Sequence, residues 1–279
     1  MAIVLALCSA LTYGLSDFVG GFVSRRSSAW SVAVLGQSSS AVCTAVAALL
    51  VTGSPSPGDF VWAMIGGVGG GMGVGFLYRG FTSGRMSVVA PVSAVGAALV
   101  PVTAGAIGGE RPGALVWVGI VVAMPAIWLV SSIPSAAKAR SGFFGEGLLD
   151  GVLAGLGFGL LFACVGQIPD SAGLWPLTLT QVVSVPAVVL LAGLVRAPWV
   201  PRCRAVRWAV LTGPLGAVAT LTFLLAAQQG YLTVSGVLAA LYPASTVVLA
   251  MFVLREHIHR AQALGLLLCA VTVALVAAG

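Results

Sequence analysis

The chain has 279 residues, of which 59% are hydrophobic and 7% charged, and its formal net charge is +6. A mean hydropathy of +1.09 excludes a soluble globular domain, which needs a charged surface, and marks a membrane protein. The basic excess lies between apolar runs, where it is a signal of topology and lipid headgroups, and no nucleic-acid partner is expected.

Apolar runs of about 20 residues, the length that crosses a bilayer core, predict ten spans near 3–23, 30–52, 60–80, 86–107, 113–132, 147–167, 174–195, 208–227, 233–253 and 261–278. Their Ala, Gly and Leu content lacks the alternation of a membrane barrel strand, so they are read as helices. Span one has no basic residues before its apolar run and has large Leu residues ahead of Cys8, which predicts a retained span rather than a cleaved leader. It carries Tyr13, Ser16 and Asp17, and span two carries Gln37.

Span three holds the glycine run from Gly66 to Gly75 and ends in Tyr78 and Arg79. Gly67 with Gly71, and Gly71 with Gly75, form small faces that let helices approach closely. A phosphate-binding loop is excluded by the apolar surroundings and the absence of a following Lys. Glu110 before Pro112, and Glu256 at the matching place in the second half, are expected to complement the positive ends of spans five and ten.

The polar stretch Pro134 to Gly147, with Lys138, Arg140 and Glu146, divides the chain into units 1–133 and 147–279 joined by a connection at 134–146. Asp150 opens span six, Gln181 lies in span seven, and Thr220, Thr222 and Gln228 lie in span eight. Span nine contains Tyr242 and Pro243. Five cysteines without CxxC spacing give neither a disulfide framework nor a metal site, and His257 and His259 beside Glu256 lack further ligands, so no metal or cofactor is expected.

The second half repeats the first. An offset of 146 places Trp62 on Trp208, Gly67 on Gly213, Gly70 on Gly216, Gly84 on Gly230, Glu110 on Glu256 and Gly119 on Gly265. An offset of 145 places Tyr13-Gly14 on Phe158-Gly159 and Trp30 on Trp175. Five spans per copy is an odd number, so the copies lie inverted with a cavity at their shared interface, and alternation between two rocking states follows from that symmetry.

Three stretches carry a family likeness: Ala10-Leu11-Thr12-Tyr13-Gly14-Leu15-Ser16-Asp17-Phe18, the run Ala239-Ala240-Leu241-Tyr242-Pro243, and the Gly109-Glu110 pair after span four. The matching pair after span nine is Arg255-Glu256, where the Gly is replaced. The chain resembles, nearly end to end, the EamA family of the drug/metabolite transporter superfamily, ten-helix carriers made of two EamA repeats. The Pro of span nine is matched by Pro243, whereas its first-half equivalent is Ala97, between Pro91 and Pro101. The resemblance implies export or uptake of small metabolites, amino-acid-like compounds or drugs by alternating access. The expected fold is therefore an all-α integral membrane protein, ten transmembrane helices in two inverted five-helix EamA-type repeats.

Arg25, Arg26, Arg85, Lys138, Arg140, Arg196, Arg202, Arg204, Arg207, Arg255 and Arg260 lie in or beside odd-numbered loops, against Arg111 in an even loop. The positive-inside rule then makes the odd loops cytoplasmic in the plasma membrane, with both termini outside; the family resemblance implies termini inside. Asp17, Arg79 and Asp150 are the charges within or at the ends of spans, where charge is costly and points to function. Asp17 is expected to face the cavity near Arg79, either as a proton-coupling carboxylate or as the counter-ion of a substrate gate. Asp150, a few residues into span six, is expected to reach the interface.

Tyr13, Ser16, Gln37, Tyr78, Gln181, Thr220, Thr222, Gln228 and Tyr242 complete the candidate cavity, offering hydrogen bonds to a polar ligand and aromatic faces to a cationic one. Trp62 and Trp175 are expected as interface anchors. The partners expected are a small-molecule substrate, coupling protons and the lipid bilayer, with monomer and homodimer both open. A facilitative channel or a lipid flippase is the nearest alternative to a carrier. A membrane-embedded enzyme is a weaker one, since the spans hold no paired carboxylates, zinc-spaced histidines or nucleophile with an evident base.

Overall fold

The computed structural model describes residues 1–82, 86–131, 147–254 and 259–279. Arg85, the connection 134–146 and the segment with Arg255, Glu256 and His257 lie outside the described residues. The described chain is all-helical, with α1 (Ala2–Ser24), α2 (Ala29–Leu50), α3 (Pro57–Thr82), α4 (Met86–Ile107), α5 (Ala114–Ser131), α6 (Leu148–Val165), α7 (Trp175–Leu194), α8 (Thr212–Gln229), α9 (Leu232–Ala239), α10 (Tyr242–Leu254) and α11 (Arg260–Ala278). These supply ten spans long and apolar enough to cross a membrane.

Two spans differ from the expected single helices. The run expected at 208–227 begins with a 3-10 helix over Arg204–Leu211, and the α-helix starts only at Thr212. The ninth span is broken into α9 and α10 around Ala240 and Leu241. Pro243 accounts for the break, because it has no N–H to donate to the carbonyl of Ala239, four residues earlier, and its ring crowds that carbonyl. Ala97, at the equivalent place in the first half, leaves α4 continuous, even with Pro91 and Pro101 inside it.

The two halves pack across one another in a pattern that the repeat predicts. α1 lies against α8 and the α9/α10 pair, as α6 lies against α3 and α4. α2 meets α7, and α5 meets α11, each the partner of its own counterpart. The equivalence reaches single atoms. A Cβ added to Gly14 would lie 2.6 Å from the Tyr242 carbonyl oxygen, and one added to Gly159 would lie 2.9 Å from that of Gly96, the position matching Tyr242.

The glycine run of α3 serves several neighbours at once. Gly67 and Gly71 face the carbonyls of Thr180 and Ser184 on α7, each 2.6 Å from an added Cβ. Gly69 and Gly73 face Gly157 and Phe158 on α6, and Gly75 faces the buried Trp30 ring on α2. The small-residue stripe is thus a two-sided packing surface, not one dimer seam.

Gly157→Val tests this packing, since a Cβ there would stand 2.5 Å from Gly73 N and 2.7 Å from the Gly69 oxygen. Backbone cannot rotate aside, so the expected loss exceeds about 3 kcal/mol. It should be read as loss of a monodisperse peak and of thermal stability in detergent. Gly193→Ala, where an added Cβ meets nothing within 4 Å, should behave as wild type.

Candidate functional site

α1 places Tyr13, Ser16 and Asp17 on one face by the spacing of helical turns. All three are buried, and all three border a cavity between the halves. Gly36 and Gln37 of α2, Tyr78 of α3, Phe158 and Leu161 of α6, Gln181 of α7, and Thr212, Gly216 and Thr220 of α8 complete most of its wall. The cavity measures about 40 Å³. That is room for a few waters and far below the few hundred Å³ of a metabolite site.

Thr220 is the hub of the polar wall. Its hydroxyl donates to the Gly216 carbonyl at 2.8 Å, which leaves its lone pairs to accept the Tyr13 hydroxyl at 2.8 Å and the Gln181 amide at 3.3 Å. One threonine therefore ties α1 of the first half to α7 and α8 of the second. Thr220→Val keeps the shape and orphans two donors, for an expected loss of about 1–3 kcal/mol with access of cavity water at the low end. Thermal denaturation should show Thr220→Val destabilised and Thr220→Ser close to wild type.

Ser16 donates to the Thr212 carbonyl at 3.2 Å, fixing α1 to the start of α8. The Tyr78 hydroxyl stands beside Ser16 and against Gly20, whose missing side chain makes room for it. Tyr242 does not border the cavity. Its hydroxyl donates to Ser93, which itself donates to Ala90, and its ring meets Phe158 edge-on with centroids 6.4 Å apart. Gln37 is half-buried at the cavity wall. Of the remaining candidates, Thr222 bonds back to its own helix and the Gln228 amide donates to Ile168, so both serve helix packing.

Arg79, expected near Asp17 at the cavity, is not among the residues that border it. Arg79 pairs with Asp150, through Nε at 2.9 Å and through Nη2, and its guanidinium lies 4.8 Å from the centre of the Phe76 ring. α3 and α6 run antiparallel, with Gly69 at Gly157 and Gly66 at Leu161, and that register carries Arg79 to the first turn of α6. Asp150, expected to reach the interface, is buried. Among the described residues Asp17 has no ion pair and is the one carboxylate of the cavity wall, which holds no basic side chain.

The expectation for Glu110 is corrected as well. Its carboxylate accepts the backbone N–H groups of Leu232 at 2.6 Å and Thr233 at 2.9 Å, so it caps α9 of the other half rather than α5. Gly109, with φ of +90°, makes the turn that delivers it there, which is the physical reason for Gly before Glu. Trp62 and Trp175 are exposed. Among the described residues no three of His, Cys, Asp and Glu cluster as a metal site.

Sequence reasoning missed Thr212, Gly36 and Gly216 in the cavity wall. Glycines give no signal in a chain with 37 of them, and Thr212 is marked only by its place at the end of the arginine-rich connection.

The sequence model of the EamA-like transporter family matches this chain twice, over residues 1–132 and 145–278. A solved structure, described only as the crystal structure of a protein, superposes with a TM-score of 0.69 at 17% identity. The match covers 99% of this chain and 98% of that one, and it shows a shared fold. No curated protein matches the chain. With both of its halves matched, the chain belongs to the EamA-like transporter family.

Proposed function

We propose that this protein is a secondary carrier of the plasma membrane, moving a small metabolite or drug-like molecule by alternating access through the cavity between its halves. The observation that carries the reading is the cavity itself. Both halves wall it, and among the described residues Asp17 is its one carboxylate. At about 40 Å³ it holds water but no metabolite, so passage requires the halves to part on one side and then on the other. The paired packing of α1 on α8 and of α6 on α3 supports two equivalent rocking states.

In this reading Asp17 binds and releases the coupling proton, and Tyr13, Ser16, Gln37, Tyr78 and Gln181 offer hydrogen bonds to substrate as the cavity opens. Arg79 holds Asp150 and does not act on substrate, and Tyr242 shapes the wall through Phe158. The odd-numbered loops face the cytoplasm, as their basic residues favour. The protein changes the position of its substrate and not its covalent structure.

The test is flux in proteoliposomes of the full chain against a panel of amino acids, nucleobases and cationic drugs. Uptake of at least one class that saturates with concentration is the expected result. Current or flux that rises without saturation, or movement of labelled lipid alone, overturns the carrier reading.

A further inference from the structure

The connection between α7 and α8 carries Arg196, Arg202, Arg204 and Arg207, and no Asp or Glu occurs in the sequence between Asp170 and Glu256. Its last turns form the 3-10 helix Arg204–Leu211. A 3-10 helix repeats every three residues, so side chains eclipse at i and i+3 and the helix has three distinct faces. Val206, Ala209 and Thr212 are buried on the first face.

Arg204, Arg207 and Val210 form the second face and line a basic pocket of about 360 Å³. Ala205, Trp208 and Leu211 form the third and line an apolar groove of about 330 Å³ against Phe18, Val19 and Phe22 of α1. Arg26 stands at that groove, with its guanidinium 5.2 Å from the centre of the Phe22 ring. An α-helix would smear these three patterns around its surface. The 3-10 geometry keeps them apart and sets a cationic face beside an apolar one.

We propose that this helix is a binding site for one anionic phospholipid, its phosphodiester held by Arg204 and Arg207 and an acyl chain laid in the groove between Trp208 and α1. Charge complementarity selects the occupant. The arginines have no acidic residue nearby in sequence, and the apolar groove adjoining them calls for a hydrocarbon chain that free phosphate lacks. A zwitterionic lipid fills the groove but adds no net charge to answer the arginines.

The full chain, purified in a neutral detergent, is titrated with phosphatidylglycerol, phosphatidylcholine or inorganic phosphate, and bound lipid is read by native mass spectrometry alongside the melting temperature. Phosphatidylglycerol is expected to bind and stabilise, phosphatidylcholine to bind roughly 25-fold more weakly through the groove alone, and inorganic phosphate to do neither. Each arginine is worth about fivefold near an anionic headgroup, so Arg204→Gln with Arg207→Gln should weaken phosphatidylglycerol binding by roughly 25-fold. Should the double variant not yield folded protein, Arg207→Gln alone, expected to weaken binding about fivefold, decides the matter. Unchanged affinity in the variant, equal binding of phosphatidylcholine, or an equal shift with inorganic phosphate overturns the proposal.

Discussion

Asp17→Asn is expected to reduce substrate-driven proton movement in proteoliposomes to the level of protein-free vesicles, while the variant purifies as a folded protein. The expectation of intact folding rests on the surroundings of Asp17. It borders the cavity and is 8% exposed, with no ion pair among the described residues, so its neutralisation strands no buried cation. The expected loss of coupling rests on cost. A carboxylate within a span costs roughly 2.5–3.5 kcal/mol, and one without a cationic partner has no structural return for it. Asn keeps the size and the hydrogen-bonding reach and replaces the ionisable carboxyl with an amide that neither takes up nor releases a proton. Asp17→Glu should keep proton movement, with altered substrate affinity because the longer side chain intrudes on a cavity of about 40 Å³. Proton flux that survives in Asp17→Asn would move the coupling role elsewhere, and substrate flux without proton movement in wild type would make the protein a facilitator.

Length and hydropathy suffice to find the spans, because a bilayer imposes one length on every helix that crosses it. They are blind to what happens within a span. Trp208-Ala209-Val210-Leu211, which end the 3-10 helix, are as free of charge as the α-helix after them, so the expected span near 208–227 missed the change of helix type. The break of span nine falls at Pro243 but was not read from it, since proline alone does not break a span here: α4 runs on through Pro91 and Pro101. Membership of the cavity was legible for Tyr13, Ser16, Asp17, Gln37, Tyr78 and Gln181, since polar groups in apolar spans are drawn toward a polar interior. The partners of charged groups were not legible. Glu110 reaches α9 across 122 residues, and Arg79 finds Asp150 through a helix register that no local pattern encodes.

The pairing of Arg79 with Asp150 predicts a second large effect with a rescue built into it. Asp150 is 9% exposed at its side chain and Arg79 is 32% exposed. Asp150→Asn leaves a guanidinium that can bend toward the interface along its flexible stem, for an expected loss of about 1–2 kcal/mol. Arg79→Gln leaves the better-buried carboxylate without its cation and should cost more, about 2–4 kcal/mol, toward the lower range for broken buried pairs because the arginine is partly exposed. Arg79→Met combined with Asp150→Leu removes both charges and the desolvation cost of each. It should fall within about 1 kcal/mol of wild type, well short of the sum of the single losses. Thermal denaturation in one detergent of wild type, Arg79→Met, Asp150→Leu and their combination measures the cycle, and losses that simply add would mean that the two groups act independently. The same double variant should still transport, because the pair joins α3 to α6 at a point that does not border the cavity, and substrate meets Asp17 and Thr220 instead. Loss of flux in a stable, folded double variant would give the pair a part in the transport cycle, with the α3–α6 contact opening and closing as the halves rock.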